Sequence, residues 1–163
     1  DLEDFSFETH LRIVWNLICE THPSTDCDLR CNKDLPTTLI SGEYGIHLSD
    51  LLHIFFANMI NHSKKDKIRH FILDAKQIDN QLQLHFENDF EGNEEYVNKK
   101  IRELLNSYDR LQKEGGSGLV KARKIVKYDL GDINNEVKMV VKNGKCKADI
   151  TINMDKLCVK TGC

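Results

Sequence analysis

Apolar residues change their spacing several times along this chain, and each change marks an element. Phe5, Phe7, Leu11, Val14, Trp15, Ile18 and Cys19 fall at helical intervals and predict an N-terminal helix that stops at His22-Pro23, where proline ends it. Asp28-Leu29-Arg30-Cys31 reads as a short strand, and Thr37 to Tyr44 as a glycine-containing connection or second short strand. Ser49-Asp50 predicts the cap of a strongly apolar helix from Leu51 to Lys64. Ile68 to Ala75 and Leu82 to Glu87 alternate in strand fashion around Asp79-Asn80 and predict a hairpin. A long amphipathic helix from Glu94 to Lys113 follows, built on Val97, Ile101, Leu104, Leu105, Tyr108 and Leu111. After Gly115-Gly116-Ser117-Gly118, a further helix carries Leu119, Ala122, Ile125, Val126 and Leu130. Val137, Val140 and Val141, then Cys146, Ala148, Ile150 and Ile152, flank Asn143-Gly144, a pair suited to a tight hairpin turn. Asn153 to Cys163 reads as a frayed tail.

Hairpins mixed with helices, without regular strand–helix alternation, predict an α+β fold with one sheet covered by helices on one face. The pattern divides the chain into a leading helix (1–23), a main domain (24–153) and a tail (154–163).

Composition narrows the function classes. At 163 residues the chain is long enough for a real core without staples. A net charge of −3 gives no electrostatic reason to expect nucleic acid or an anionic membrane, and no run approaches the length of a membrane span. The basic cluster Lys121, Arg123, Lys124 and Lys127 lacks interleaved aromatics, which ranks a nucleic-acid role well behind. A chain that begins with Asp1 and lacks a secretory signal reads as a cytoplasmic piece of a larger protein, whose remainder is an expected partner. Cys27 with Cys31 and Cys158 with Cys163 could form two zinc-binding pairs, although reduced thiols are the plainer reading.

Two features carry candidate chemistry. The loop Gly116-Ser117-Gly118 opens into the helix beginning with Leu119, so unpaired N–H groups and the positive end of a helix dipole face one spot, which suits a phosphate. On the apolar helix, Asn58, Asn61, His62 and Lys65 form one polar stripe. Asparagine oxygens can hold Mg²⁺ or its waters, and a lysine can neutralise phosphate charge. The competing reading of the stripe is a solvated helix face.

Together these pieces resemble the nucleotide-binding domain of the GHKL ATPases, most closely the histidine-kinase branch. The segment Leu52 to Lys65 is similar to the family's N box, Ile68 to Glu87 to the hairpin after it, and Glu87 to Gly92 to its Asp-x-Gly-x-Gly adenine box. Gly116-Ser117-Gly118-Leu119 resembles the second glycine box, with the preceding amphipathic helix in the ATP lid. The resemblance implies a Bergerat-like, two-layer α/β sandwich with a mixed, mostly antiparallel sheet. It implies ATP and Mg²⁺ as cofactors, with Asn58, Asn61 or His62 on the metal and Lys65 on the phosphates. Glu87 or Asp89 would read adenine, and Gly116, Ser117, Gly118 and Leu119 would line the phosphate loop.

The implied function is a nucleotide-dependent conformational switch, with ATPase or phosphotransferase activity and homodimerisation open. Several positions depart from the family pattern: His62 stands where the Mg²⁺-ligating asparagine belongs, Phe90 brings bulk to the adenine box, and Glu114 replaces a glycine. Those departures motivate an alternative, a docking or dimerisation module that keeps the fold without nucleotide, using the stripe Phe5, Phe7, Leu11, Val14 and Trp15, although the plainer reading of that stripe is packing on the domain's own sheet.

Overall fold

A computed structural model of the chain describes residues 3–22, 27–31, 35–63, 69–106 and 118–159. Strand β1 (Phe5–Ser6) leads directly into helix α1 (Phe7–Thr21), whose N-terminus is capped by the Ser6 hydroxyl accepting from Thr9 N–H at 3.2 Å. Phe5 therefore belongs to a strand, pairing antiparallel with Ile40 in β3 (Leu39–Ile40). Strand β2 (Cys27–Cys31) lies between them in sequence. Helix α2 spans Gly45–His62 and starts six residues before the expected Leu51, after a 3-10 turn at Gly42–Tyr44. Ser49 therefore lies inside the helix rather than at its cap, and its hydroxyl pairs with His10 Nε2 of α1 at 2.8 Å.

The main sheet combines β2 with β4 (Arg69–Ile78), β5 (Gln81–Asp89), β6 (Glu136–Lys142) and β7 (Lys145–Asn153) in the order β2-β4-β5-β7-β6. Only β2 and β4 run parallel, and α2 lies in the connection between them; every other pairing is antiparallel. A parallel pair needs such a crossover, whereas tight turns join β4 to β5 and β6 to β7. Asp79 and Asn143 both take positive φ at those turns, at 51° and 54°, and Gly144 follows at 70°. This is the twist a two-residue hairpin demands.

Alternation fixes the layers. Phe71, Leu73 and Ala75 of β4, Leu82, Leu84 and Phe86 of β5, and Ala148, Ile150 and Ile152 of β7 point to one side and are buried. Against them pack α1, α2 and helix α4 (Gly118–Lys124), which continues into a π-helical turn at Ile125–Asp129. Phe55 stacks on Phe86 at 4.9 Å between ring centroids, and Trp15 meets Phe56 edge-on at 4.9 Å. Each fully buried large side chain of this kind contributes about 1.5–3 kcal/mol. The fold is the α+β two-layer sandwich with a mixed, mostly antiparallel sheet that the sequence leads one to expect.

The segment after β7 differs from expectation, while the N-terminal stripe takes the plainer of its two readings. Residues 154–159 do not fray: Met154 and Leu157 are fully buried, Met154 N–H donates to Asn80 O, and Cys158 bridges to Ile40. The N-terminal stripe is turned inward, with Phe7, Leu11 and Val14 inside the domain's own core.

Candidate functional site

Helix α3 (Glu94–Asn106) does not join the main core. Its Ile101 packs with Leu119, Val141 and Cys146 in a second apolar cluster over the β6–β7 end of the sheet. Its position is fixed by a side chain that imitates a strand: Asn98 Nδ2 donates to Val141 O at 2.7 Å, and Asn98 Oδ1 accepts from Val141 N–H at 2.8 Å. Glu94 adds a hydrogen bond from Gly144 N–H at 2.7 Å.

Between the two clusters lies a cavity of about 320 Å³. Its floor is Phe55, Phe86 and Ala148, its far wall Val97, Ile101 and Leu104 of α3, and its polar groups are Asn58, His62, Asn88, Tyr96 and Lys100. Lys100 sits over the Tyr96 ring, its Nζ 4.6 Å from the centroid. Cys146 also lines the cavity, and burial pushes its thiol up to about 11, so it is a neutral group there. An apolar hollow with a few convergent polar groups is the usual form of a small-molecule site.

The structure brings together part of the set read from sequence. Asn58 and His62 of α2 and Gly118 and Leu119 of α4 all line this cavity. Gly118 makes the approach of the two helices close: a Cβ there would lie 3.1 Å from Ile54 Cγ2 and 3.7 Å from Asn58 Nδ2. Asn61 is exposed and does not line the cavity. Lys65, Gly116 and Ser117 lie outside the described residues, as do Cys163 and the side chain of Cys27. Among the described residues, no group of three or more His, Cys, Asp or Glu is placed to hold a metal.

Glu87 and Asp89 are not brought to the cavity. They occupy the opposite face of β5, where Lys147 Nζ reaches Glu87 at 3.3 Å and Lys145 Nζ reaches Asp89 at 2.6 Å. The hydrogen bond to Asp89, together with the charges of both carboxylates, raises the Lys145 ammonium above its usual range. The β5 residue that does face the cavity is Asn88, 5% exposed, with its Nδ2 donating to Asp89 O at 2.9 Å. That bond leaves Oδ1 as the acceptor available to a guest. The signal for it is in the sequence: Leu82, Leu84 and Phe86 alternate inward, and Asn88 is next in phase. Asn88-x-Phe90-x-Gly92 also has the spacing of Asp-x-Gly-x-Gly, with Gly92 keeping a positive φ of 150°.

The donor set at the end of α2 departs from what Mg²⁺ requires. That cation demands near-octahedral oxygen ligation. The cavity offers one amide oxygen from Asn58 and an imidazole from His62, while Asn61 points elsewhere.

By sequence, residues 8–160 match the family described as "y4jQ C-terminal putative histidine kinase domain". Among solved structures, the nucleotide-free catalytic domain of histidine kinase ThkA superposes with a TM-score of 0.68 at 16% identity, covering 94% of this chain and 97% of that one. The blue-light-activated histidine kinase of Erythrobacter litoralis gives a TM-score of 0.67 at 16% identity, over 93% of this chain and 42% of that one. ThkA in complex with response regulator protein TrrA gives 0.66 at 15% identity, over 95% and 42%. At these identities the likeness is one of fold. No curated protein matches the chain in sequence.

Proposed function

The chain belongs to that histidine-kinase-like family of GHKL domains, and from this premise we propose that its cavity seats an ATP-type nucleoside triphosphate. In this reading α3 forms the wall over the nucleotide, and occupancy of the seat sets its position, which makes the domain a nucleotide-dependent switch within a larger protein.

One observation carries the reading. Asn58, His62, Asn88, Gly118 and Leu119 come from three separate elements and meet at one hollow whose other walls are apolar. Apolar walls suit the faces of a base, and the fixed Asn88 Oδ1 suits an exocyclic amino group as donor. Lys65, Gly116 and Ser117 are proposed for the phosphates. The docking alternative is less well supported, because the apolar stripe it would use is consumed in the core. The ThkA–TrrA complex makes a response regulator the partner class to test with the full-length protein, alongside a second copy of the domain.

Calorimetry and thermal unfolding with ATP test the proposal. At a hundredfold excess over the dissociation constant, ATP should add about 2.7 kcal/mol of stability. Asn88→Leu keeps the shape but removes the acceptor, and should abolish the shift while leaving the circular dichroism spectrum intact. An unshifted transition at millimolar ATP would overturn the reading.

A further inference from the structure

We infer that the nucleotide at this cavity is held without a divalent cation, and that the Lys100 ammonium of α3 answers the phosphate charge instead. The inference rests on the nucleotide reading above and concerns where the compensating charge comes from.

The side chains around the cavity form a set for an anion. Among the described residues that line it there is no Asp or Glu, and Lys100 is the one with a permanent positive charge. Asn58 and His62 add N–H donors, two on a carboxamide and one on a neutral imidazole. Burial holds Cys146 as the neutral thiol, so it contributes no thiolate. Glu87 and Asp89 lie on the opposite face of β5, where Lys147 and Lys145 meet them. A hard divalent cation is held by carboxylates and other oxygens in a near-complete shell. Here Asn58 and Asn88 offer one neutral amide oxygen each, and Asn88 is already assigned to the base. Walls that fail as a cation cage therefore suit phosphate oxygens.

Lys100 is placed for this task. It stands four residues from Tyr96 on α3, so the two side chains share a helix face, and both line the cavity. Its Nζ lies 4.6 Å from the Tyr96 ring centroid. That contact restrains the ammonium while leaving its N–H groups available to an anion. Among the described residues no carboxylate is paired with Lys100, so its charge is not spent within the domain. The helix that carries it is itself fixed to β6 through the two Asn98 hydrogen bonds. A guest that draws on Lys100 thus pulls on α3, and the helix responds to the charge of the guest as well as its shape.

The test titrates N-methylanthraniloyl-ATP into the chain in EDTA and in Mg²⁺, following the fluorescence of the nucleotide. The two dissociation constants should agree within about threefold. Lys100→Gln should weaken binding in EDTA about tenfold, the scale of one charge-assisted hydrogen bond. Lys100→Arg, which keeps the charge, should restore most of the affinity. Lys100 is exposed, so neither substitution disturbs the core. Lys99→Gln removes the same charge at an exposed neighbour that does not line the cavity, and should leave binding unchanged. A larger gain with Mg²⁺, an unaltered affinity in Lys100→Gln, or an equal loss in Lys99→Gln would overturn the inference and leave the nucleotide site standing. Absence of binding in both EDTA and Mg²⁺ would instead remove the nucleotide reading, and this inference with it.

Discussion

Removing the Asn98 carboxamide tests how α3 is held over the cavity. Asn98→Ala deletes two hydrogen bonds, of 2.7 and 2.8 Å, to the backbone of Val141 on the edge strand. Each such bond contributes about 0.5–1.5 kcal/mol net. Alanine returns roughly 0.5 kcal/mol through better helix propensity. Val141 is itself only 1% exposed, so its two freed backbone groups gain little water until α3 moves away. The balance is a loss of about 1–2 kcal/mol, concentrated in the α3–β6 contact. At about 1.4 kcal/mol per tenfold, hydrogen exchange of the Val141 amide should quicken about 5- to 30-fold. Amides of β5 and β7, which open only with the whole domain, should change less. Asn98→Asp, which keeps an acceptor but sets a carboxylate against the Val141 carbonyl, should be no better than alanine. Unchanged exchange at Val141 in Asn98→Ala would refute the clamp and assign the docking of α3 to Val97, Ile101 and Leu104 alone.

Two further outcomes follow from buried and strained positions. Burial pushes the Cys146 thiol from 9.0 up to about 11, so at alkaline pH the unfolded chain surrenders this proton first. Its contribution to stability is intact below pH 9.0 and is lost as pH rises towards the folded value, by at most about 1.4 kcal/mol per unit. Urea midpoints measured across that range should fall less steeply in Cys146→Ala than in the native chain, and parallel slopes would contradict this. Gly144 sits at φ 70° in the β6–β7 turn, and Gly144→Ala should cost about 1–2 kcal/mol, because a Cβ disfavours the left-handed region. For a domain of this size that is a fall of about 2–8 °C in Tm by calorimetry; an unmoved Tm would mean the turn relaxes without cost.

Local signals in the chain are strong where a single turn or period decides the outcome. Asn143-Gly144 and Asp79-Asn80 each set a positive-φ turn, and the strands on either side pair as their alternation requires. The parallel pairing of β2 with β4 has no such marker, since its partners are separated by α2 and its register depends on the assembled core. The start of α2 was obscured by Ser49, whose hydroxyl reads as a cap but is satisfied by His10 from another helix. At the site, Asn58, His62, Gly118 and Leu119 were legible from spacing. The β5 residue that lines the cavity is harder to read, because Glu87 and Asp89 supply the carboxylates that the resemblance implies while strand phase turns them to the lysines of β7. Only counting in twos from Leu82 selects Asn88. Residues 154–159 read as a frayed tail in one dimension, yet Met154 and Leu157 are fully buried and Val159 N–H donates to Leu39 O of β3.

Helix α2 joins two distant places in the molecule. Near its beginning Ser49 is tied to His10, and Gly42 just before it is held by Asp4, while His62 at its other end faces the cavity. From Ser49 to His62 the axis runs about 20 Å at 1.5 Å per residue. A stiff beam of that length converts a 1 Å shift at one tip into a tilt of about 3°. In the proposed reading, an occupant of the hollow would lean on the lever that the amino-terminal segment grips, with no intermediate relay of side chains required.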